Sequence, residues 1–174
     1  MNLFSPAEVT ANYAQAGFVK AKRAVWKMVL LGVLAGFTIA MSCVVSSTAA
    51  HDIANVGTAR IITGLIFAFG LSIVMGSGTE LFTGNNLMVI SVLEKKISAL
   101  DMLKNWVFVY FGNMLGALLV AAGCAFLGQL NYTDGGLAVY TIKLAAAKSS
   151  LSFSGALVYG IFCNVLVCLG VFIA

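Results

Sequence analysis

The chain has 174 residues, of which 61% are hydrophobic and only 9% charged, with a mean hydropathy of +1.02. A soluble domain of this size keeps most residues near its surface and cannot hide that much apolar area, so lipid is the solvent that fits. The formal net charge of +4 is spread between apolar segments, which makes it a record of membrane topology rather than a nucleic-acid surface.

Residues 1–28 are polar and mixed, with no small-residue cleavage site after a short apolar run, so the first apolar segment is expected to be a span and not a removed leader. Ser5-Pro6-Ala7-Glu8 is a capping box with proline at the first helical position. It predicts a helix over about 5–24 that lies at the membrane surface and leads into the first span. That span is expected at about 28–48, close to the length a bilayer crossing needs. A polar link follows with His51, Asp52 and Asn55.

The second apolar segment starts near Ile61 and is interrupted by Gly76-Ser77-Gly78-Thr79-Glu80-Leu81-Phe82-Thr83-Gly84-Asn85-Asn86 before apolar character returns at Leu87. The pattern predicts one crossing over about 61–93, broken at about 76–86. A charged link over 94–105 leads to a third span at about 106–127. The longest link carries an Asn131-Tyr132-Thr133-Asp134-Gly135-Gly136 turn cluster and a short helix ending at Lys148. The fourth span is expected at about 151–174. The reading is a single all-α transmembrane domain over 1–174.

With the N-terminus inside, the inner segments hold Lys20, Lys22, Arg23, Lys27, Lys95, Lys96 and Lys104, and the outer links hold Arg60, Lys143 and Lys148. Seven against three predicts a cytoplasmic N-terminus in a multi-pass protein of the cell membrane. Gly32 with Gly36, and Gly112 with Gly116, are small-residue pairs that let helix backbones approach in lipid and favour a homo-oligomer. Cys43, Cys124, Cys163 and Cys168 lie in apolar stretches without CxxC spacing and are expected to be core residues, with no metal and no cofactor.

The broken span carries the chemistry. Irregular backbone at membrane depth leaves peptide groups unpaired, and it survives only inside protein or along a wet path. Glu80 has two readings: a proton or cation ligand, or a staple that accepts hydrogen bonds from N–H groups of the loop. Gly78 and Gly84 belong to the same loop structure. Thr83 places a hydroxyl where the helix resumes. Leu81 and Phe82 beside it, and Leu71 and Phe67 one and two turns earlier, form an apolar constriction or are ordinary helix packing. Asn164 either ties two helices together or faces the path. Lys148 either draws anions to a pore mouth or snorkels to the interface.

The run Gly78-Thr79-Glu80-Leu81-Phe82-Thr83-Gly84-Asn85 after an apolar half-helix resembles the signature loop of the formate/nitrite transporter family. Gly160-Ile161-Phe162-Cys163-Asn164-Val165-Leu166-Val167-Cys168-Leu169 resembles that family's fourth-span motif, and Lys148 matches its outer lysine. The resemblance implies an aquaporin-like bundle of six spans per protomer and a homopentamer in which each protomer has a pore for small monovalent anions. Formate is the default, with nitrite and hydrosulfide as close alternatives. It implies that Leu81 contributes to an inner constriction and Phe67 to an outer one. Thr83 and Asn164 would face a central histidine that protonates the anion, and Lys148 would draw anions in. His51, in the outer link beside Asp52, cannot stand in for that histidine. The chain is therefore expected to stop after the fourth of six spans.

Three other classes weigh against this one. A neutral-solute pore of the aquaporin type carries Asn-Pro-Ala at its broken helices, and the single proline here is Pro6. A membrane enzyme would show HExxH, a Ser-His-Asp set or a cofactor loop, and none is present. A non-conducting subunit of a membrane assembly stays open. The expected partners are small monovalent anions and membrane lipid, with no nucleic acid.

Overall fold

A computed structural model describes residues 4–173, all helices and links. Helix α1 (Pro6–Ala21) begins as expected from its capping box: the Ser5 hydroxyl accepts from the Glu8 N–H, and the Glu8 carboxylate accepts from the Ser5 N–H at 2.7 Å. Those bonds hold the exposed Glu8 carboxyl below its usual range. The helix is packed into the protein. Its small face of Ala14, Gly17 and Ala21 is buried, and the Ser91 hydroxyl of a later helix donates to the Ala14 carbonyl at 3.0 Å.

Helices α2 (Val25–Ala50), α3 (Val56–Ser77), α6 (Ala99–Phe126) and α8 (Phe153–Ile173) are each long and apolar enough to cross a membrane. Between α3 and α6 stand two short helices, α4 (Phe82–Asn85) and α5 (Met88–Leu93). Helix α7 (Gly136–Ser149) follows a 3₁₀ turn at Gln129–Asn131. Several helices outrun the apolar windows that announced them. The α6 helix starts at Ala99 because Ser98 and Asp101 form a second capping box, so part of the charged link is already helical. Helix α3 starts at Val56 because the Asn55 side chain caps the Thr58 N–H at 2.9 Å. Apolar windows report which residues meet lipid, whereas caps decide where helices begin.

The break is correspondingly shorter than expected. Residues 76 and 77 are still helical, Gly78 ends α3 in the left-handed conformation at φ 65°, and Phe82 already opens the next helix. Gly78 is where glycine is required, since a Cβ is disfavoured at that φ. Gly84, expected to shape the loop, sits inside α4; a Cβ there would meet Val171 at 3.8 Å, an ordinary contact. The structure gives Gly84 no conformational reason to be glycine.

Helix α2 packs along both α3 and α6. Its contact with α6 is nearly backbone on backbone. A Cβ on Gly36 would overlap the Asn113 carbonyl, and one on Gly116 would overlap the Val33 carbonyl. All four glycines of the two pairs are buried. A small apolar core of Ala21, Met88 and Ile97, with Val92 and Met102 against it, joins α1 and α5 to the start of α6. By contrast, no described residue of α8 is fully buried. This helix meets the rest through α4 and α1.

Gly116→Val is expected to destabilise the protein by about 1–3 kcal/mol through overpacking. Gly123→Ala, where nothing lies within 4 Å of the new Cβ, is expected to be neutral or slightly stabilising. Thermal unfolding in detergent compares the two, and equal melting temperatures would show that the α2–α6 approach is not under constraint.

Candidate functional site

Where α3 ends, four consecutive residues lack a helix of their own, and several of their peptide groups are bonded outside regular helix. The Thr79 N–H returns to the Val74 carbonyl at 3.2 Å. The Glu80 N–H donates to the Leu31 carbonyl of α2 at 3.3 Å. The Asn113 side chain of α6 adds three bonds: its Nδ2 donates to the Glu80 carbonyl at 2.8 Å and to the Gly32 carbonyl at 2.8 Å, and its Oδ1 accepts from the Phe82 N–H at 2.9 Å. Trp106 adds its indole N–H to the Asn85 carbonyl at 3.0 Å.

The Glu80 side chain is wholly buried. Its expected partners were loop N–H groups, but its partners are side chains. The Arg23 guanidinium, just past the end of α1, bonds one oxygen. Asn85 Nδ2 donates to the other, and the Lys20 ammonium lies 3.8 Å from it. Lys20 in turn donates to Asn85 Oδ1 at 2.6 Å, and Asn85 Nδ2 also reaches Asn105 Oδ1 at 2.8 Å. The N–H groups of Thr79, Glu80 and Phe82 go to Val74, Leu31 and Asn113 instead, and the carboxylate is met by charges brought by α1 and the residue just past it. Burial pulls the Lys20 ammonium below its usual range, with Glu80 opposing and Arg23 adding to the pull.

A cavity of about 270 Å³ opens beside this cluster, lined by Tyr13, Lys20 and Arg23 of the α1 side, Leu71 and Met75 of α3, and Thr79, Leu81 and Asn85 of the break. Of the residues singled out from sequence, Leu71, Leu81, Gly78 and Gly84 share this cavity. Thr83 lies on the α8 side of α4, where its carbonyl accepts from the Cys168 thiol at 3.4 Å. Asn164 ties helices: its Oδ1 accepts from Asn86 Nδ2 at 2.6 Å, and its Nδ2 donates to the Gly160 carbonyl at 2.9 Å.

Three expected site residues lie apart. Phe82 turns toward α6, edge-to-face with Trp106 and Tyr110 at 6.0 and 5.5 Å. Phe67 is 41% exposed on α3 and outside the cavity lining. Lys148 is exposed in the last turn of α7 and, among the described residues, forms no ion pair. His51 is occupied in its link, with Nδ1 2.7 Å from the Thr48 carbonyl and Nε2 2.7 Å from the Thr133 hydroxyl.

Sequence reasoning missed Lys20 and Arg23 as site residues, counting them only for topology, and passed over Asn85, Asn105 and Asn113. A signal existed for the last two. Asn105 and Asn113 are eight residues apart in α6, near one face of a helix, and a polar residue inside an apolar span wants a partner.

Fold and site together define a multi-pass helical membrane protein whose second crossing is broken around a buried carboxylate. Known proteins agree. The family model described as formate/nitrite transporter matches residues 7–174. The chain is similar to the formate channel FocA of Haemophilus influenzae, 30% identical over 172 residues, covering 98% of this chain and 61% of that protein. It is also similar to the formate channel BtFdhC of Bacillus thuringiensis, 30% identical over 177 residues, covering 100% of this chain and 68% of that one. Among solved structures, a pentameric formate channel with formate bound matches with a TM-score of 0.74 and 31% identity, over 87% of this chain and 60% of that one. An FNT family ion channel matches with a TM-score of 0.79 over 96% of this chain and 66% of that one; at 23% identity it speaks for the fold alone. The chain belongs to the formate/nitrite transporter family. It spans 61% of the length of the Haemophilus influenzae relative.

Two outcomes check the cluster. Glu80→Gln removes the countercharge of Arg23 and Lys20 and is expected to cost about 3 kcal/mol, as for breaking a buried pair; an unchanged melting temperature in detergent would show the cluster is not structural. The second concerns pH. A lysine whose folded pKa lies below its unfolded value costs stability while charged, and the cost fades as pH rises through the folded pKa toward 10.5. Wild type is therefore expected to gain stability relative to Lys20→Met as pH rises through the alkaline range below 10.5. Parallel pH–melting curves would contradict it.

Proposed function

We propose that this protein passes small monovalent anions across the cell membrane, formate foremost, as a homopentamer with its N-terminus in the cytoplasm. The observation that carries this reading is the match, at 31% identity, to a pentameric formate channel with formate bound. The seven inner against three outer basic residues support the orientation.

The cavity supplies a physical route for the anion's first step. Lys20 and Arg23 stand on the cavity wall with the buried Glu80 carboxylate behind them, formal charges of +1, +1 and −1 that leave the cluster at a net +1. A net positive vestibule with low-dielectric walls concentrates anions. The break's backbone contributes less than half-helix termini usually do, because the Glu80 and Phe82 N–H groups are already bonded. Attraction therefore falls to the side-chain cations. Leu71 and Leu81 then present apolar surface, which disfavours a bare charge because desolvation is costly. Protonation of the anion in transit lowers that barrier and links passage to pH. Lys148 attracts anions at the opposite mouth, and Thr83 offers its hydroxyl along the way.

The test is electrical current across a supported membrane holding the full-length, assembled protein, on steps of formate, nitrite, hydrosulfide and glycerol. Current with the anions, changing with pH, and none with glycerol is the expected result. Silence with every anion would overturn the reading in favour of a non-conducting subunit. Lys148→Glu is expected to slow uptake about tenfold at low ionic strength, and Thr83→Ala is expected to alter conductance more than protein abundance. Unchanged rates for Lys148→Glu at low salt would remove the lysine from the path.

A further inference from the structure

Leu81 is gripped on both sides by one side chain. Its preceding carbonyl, on Glu80, and its following N–H, on Phe82, both bond to the Asn113 amide, at 2.8 and 2.9 Å. The same amide holds α2 through the Gly32 carbonyl at 2.8 Å. Both Nδ2 hydrogens and the Oδ1 are thus used, each on a backbone group. Helix α4 has no cap of its own, since its N-cap residue is Leu81 and makes no side-chain bond. Asn113 provides that cap from another helix. It can reach because the Gly32/Gly36 and Gly112/Gly116 contacts bring the α2 backbone against α6 beside it.

We propose that Asn113 is a specificity-positioning residue: it fixes where Leu81 stands in the cavity wall, and so sets the size of solute that passes the break. The proposal rests on the anion-passage reading above. Without the amide, the Gly32 and Glu80 carbonyls and the Phe82 N–H lose their bonds at a depth where water is scarce. The segment relieves this by turning toward water or toward neighbouring peptide groups, and either movement carries Leu81 with it. Lys20 and Arg23 then still attract anions, but the gap the anions enter has a different width. A residue that merely fills space between α2 and α6 would change stability and leave discrimination alone.

The experiment compares wild type with Asn113→Leu, close in volume and without hydrogen bonds, and with Asn113→Ser, smaller and still polar. Full-length assembled protein is reconstituted, and the ratio of formate to acetate current is measured. Hydrogen exchange of the segment 78–86 is followed in detergent. Both variants are expected to lower the ratio roughly tenfold, the worth of about one net hydrogen bond. Exchange is expected to rise in 78–86 and to stay unchanged across the rest of α2 and α6. Asn113→Gln, which restores the amide, is expected to recover part of the ratio. An unchanged ratio in a folded variant overturns the proposal. So does exchange that rises evenly along α2 and α6, or failure of both variants to fold, since each marks a packing residue. If wild type itself passes no current, the passage reading falls separately. A local rise in exchange then still upholds Asn113 as the anchor of the break, and its absence removes that as well.

Discussion

A helix that stops inside an apolar bundle leaves peptide groups that neither lipid nor its own next turn can satisfy. The structure depends on meeting that demand at residues 78–82. It is met by the last turn of α3, by the Leu31 carbonyl of α2 and by the Asn113 side chain of α6. Asn113 stands in for a turn of helix, and Trp106 and Asn85 hold the segment just beyond it. The break is thus a fixed structure with defined partners.

The glycine pairs are a condition for this. Side-chain amides are short, and Asn113 can bridge α2 and the break only where α2 and α6 nearly touch. The same residues that in isolation look like generic membrane-helix glycines therefore have a local task. Packing and site are one arrangement here, because the closest helix contact lies next to the break it serves.

Electrostatics adds a second layer. A buried carboxylate in such surroundings needs paired charge and hydrogen bonds. Glu80 obtains them from Arg23, Lys20 and Asn85. Because Lys20 belongs to α1 and Arg23 lies just past its end, the cluster also fastens that helix across the end of the bundle. Tyr13 stacks on Phe172 at 5.4 Å and donates to the Val171 carbonyl, which fastens it to α8. The helix that begins as a capped surface segment in sequence becomes one wall of the cavity.

The amino-acid sequence by itself determined the class of solvent, the four apolar crossings, the interruption of the second and the family motif. These follow from composition, from stretches of apolar residues and from glycine and polar residues set inside them, all of which are local signals. The α1 start was legible too, because a capping box involves residues three apart. Tertiary structure alone decided which groups meet. Glu80 lies 57 residues from Arg23 and Asn113 lies 33 from Glu80, separations at which no periodicity links two residues. It also decided that Phe82, the first residue of α4, faces Trp106 while Leu81, extended just before it, faces the cavity. The orientation of that segment is fixed by an amide on another helix.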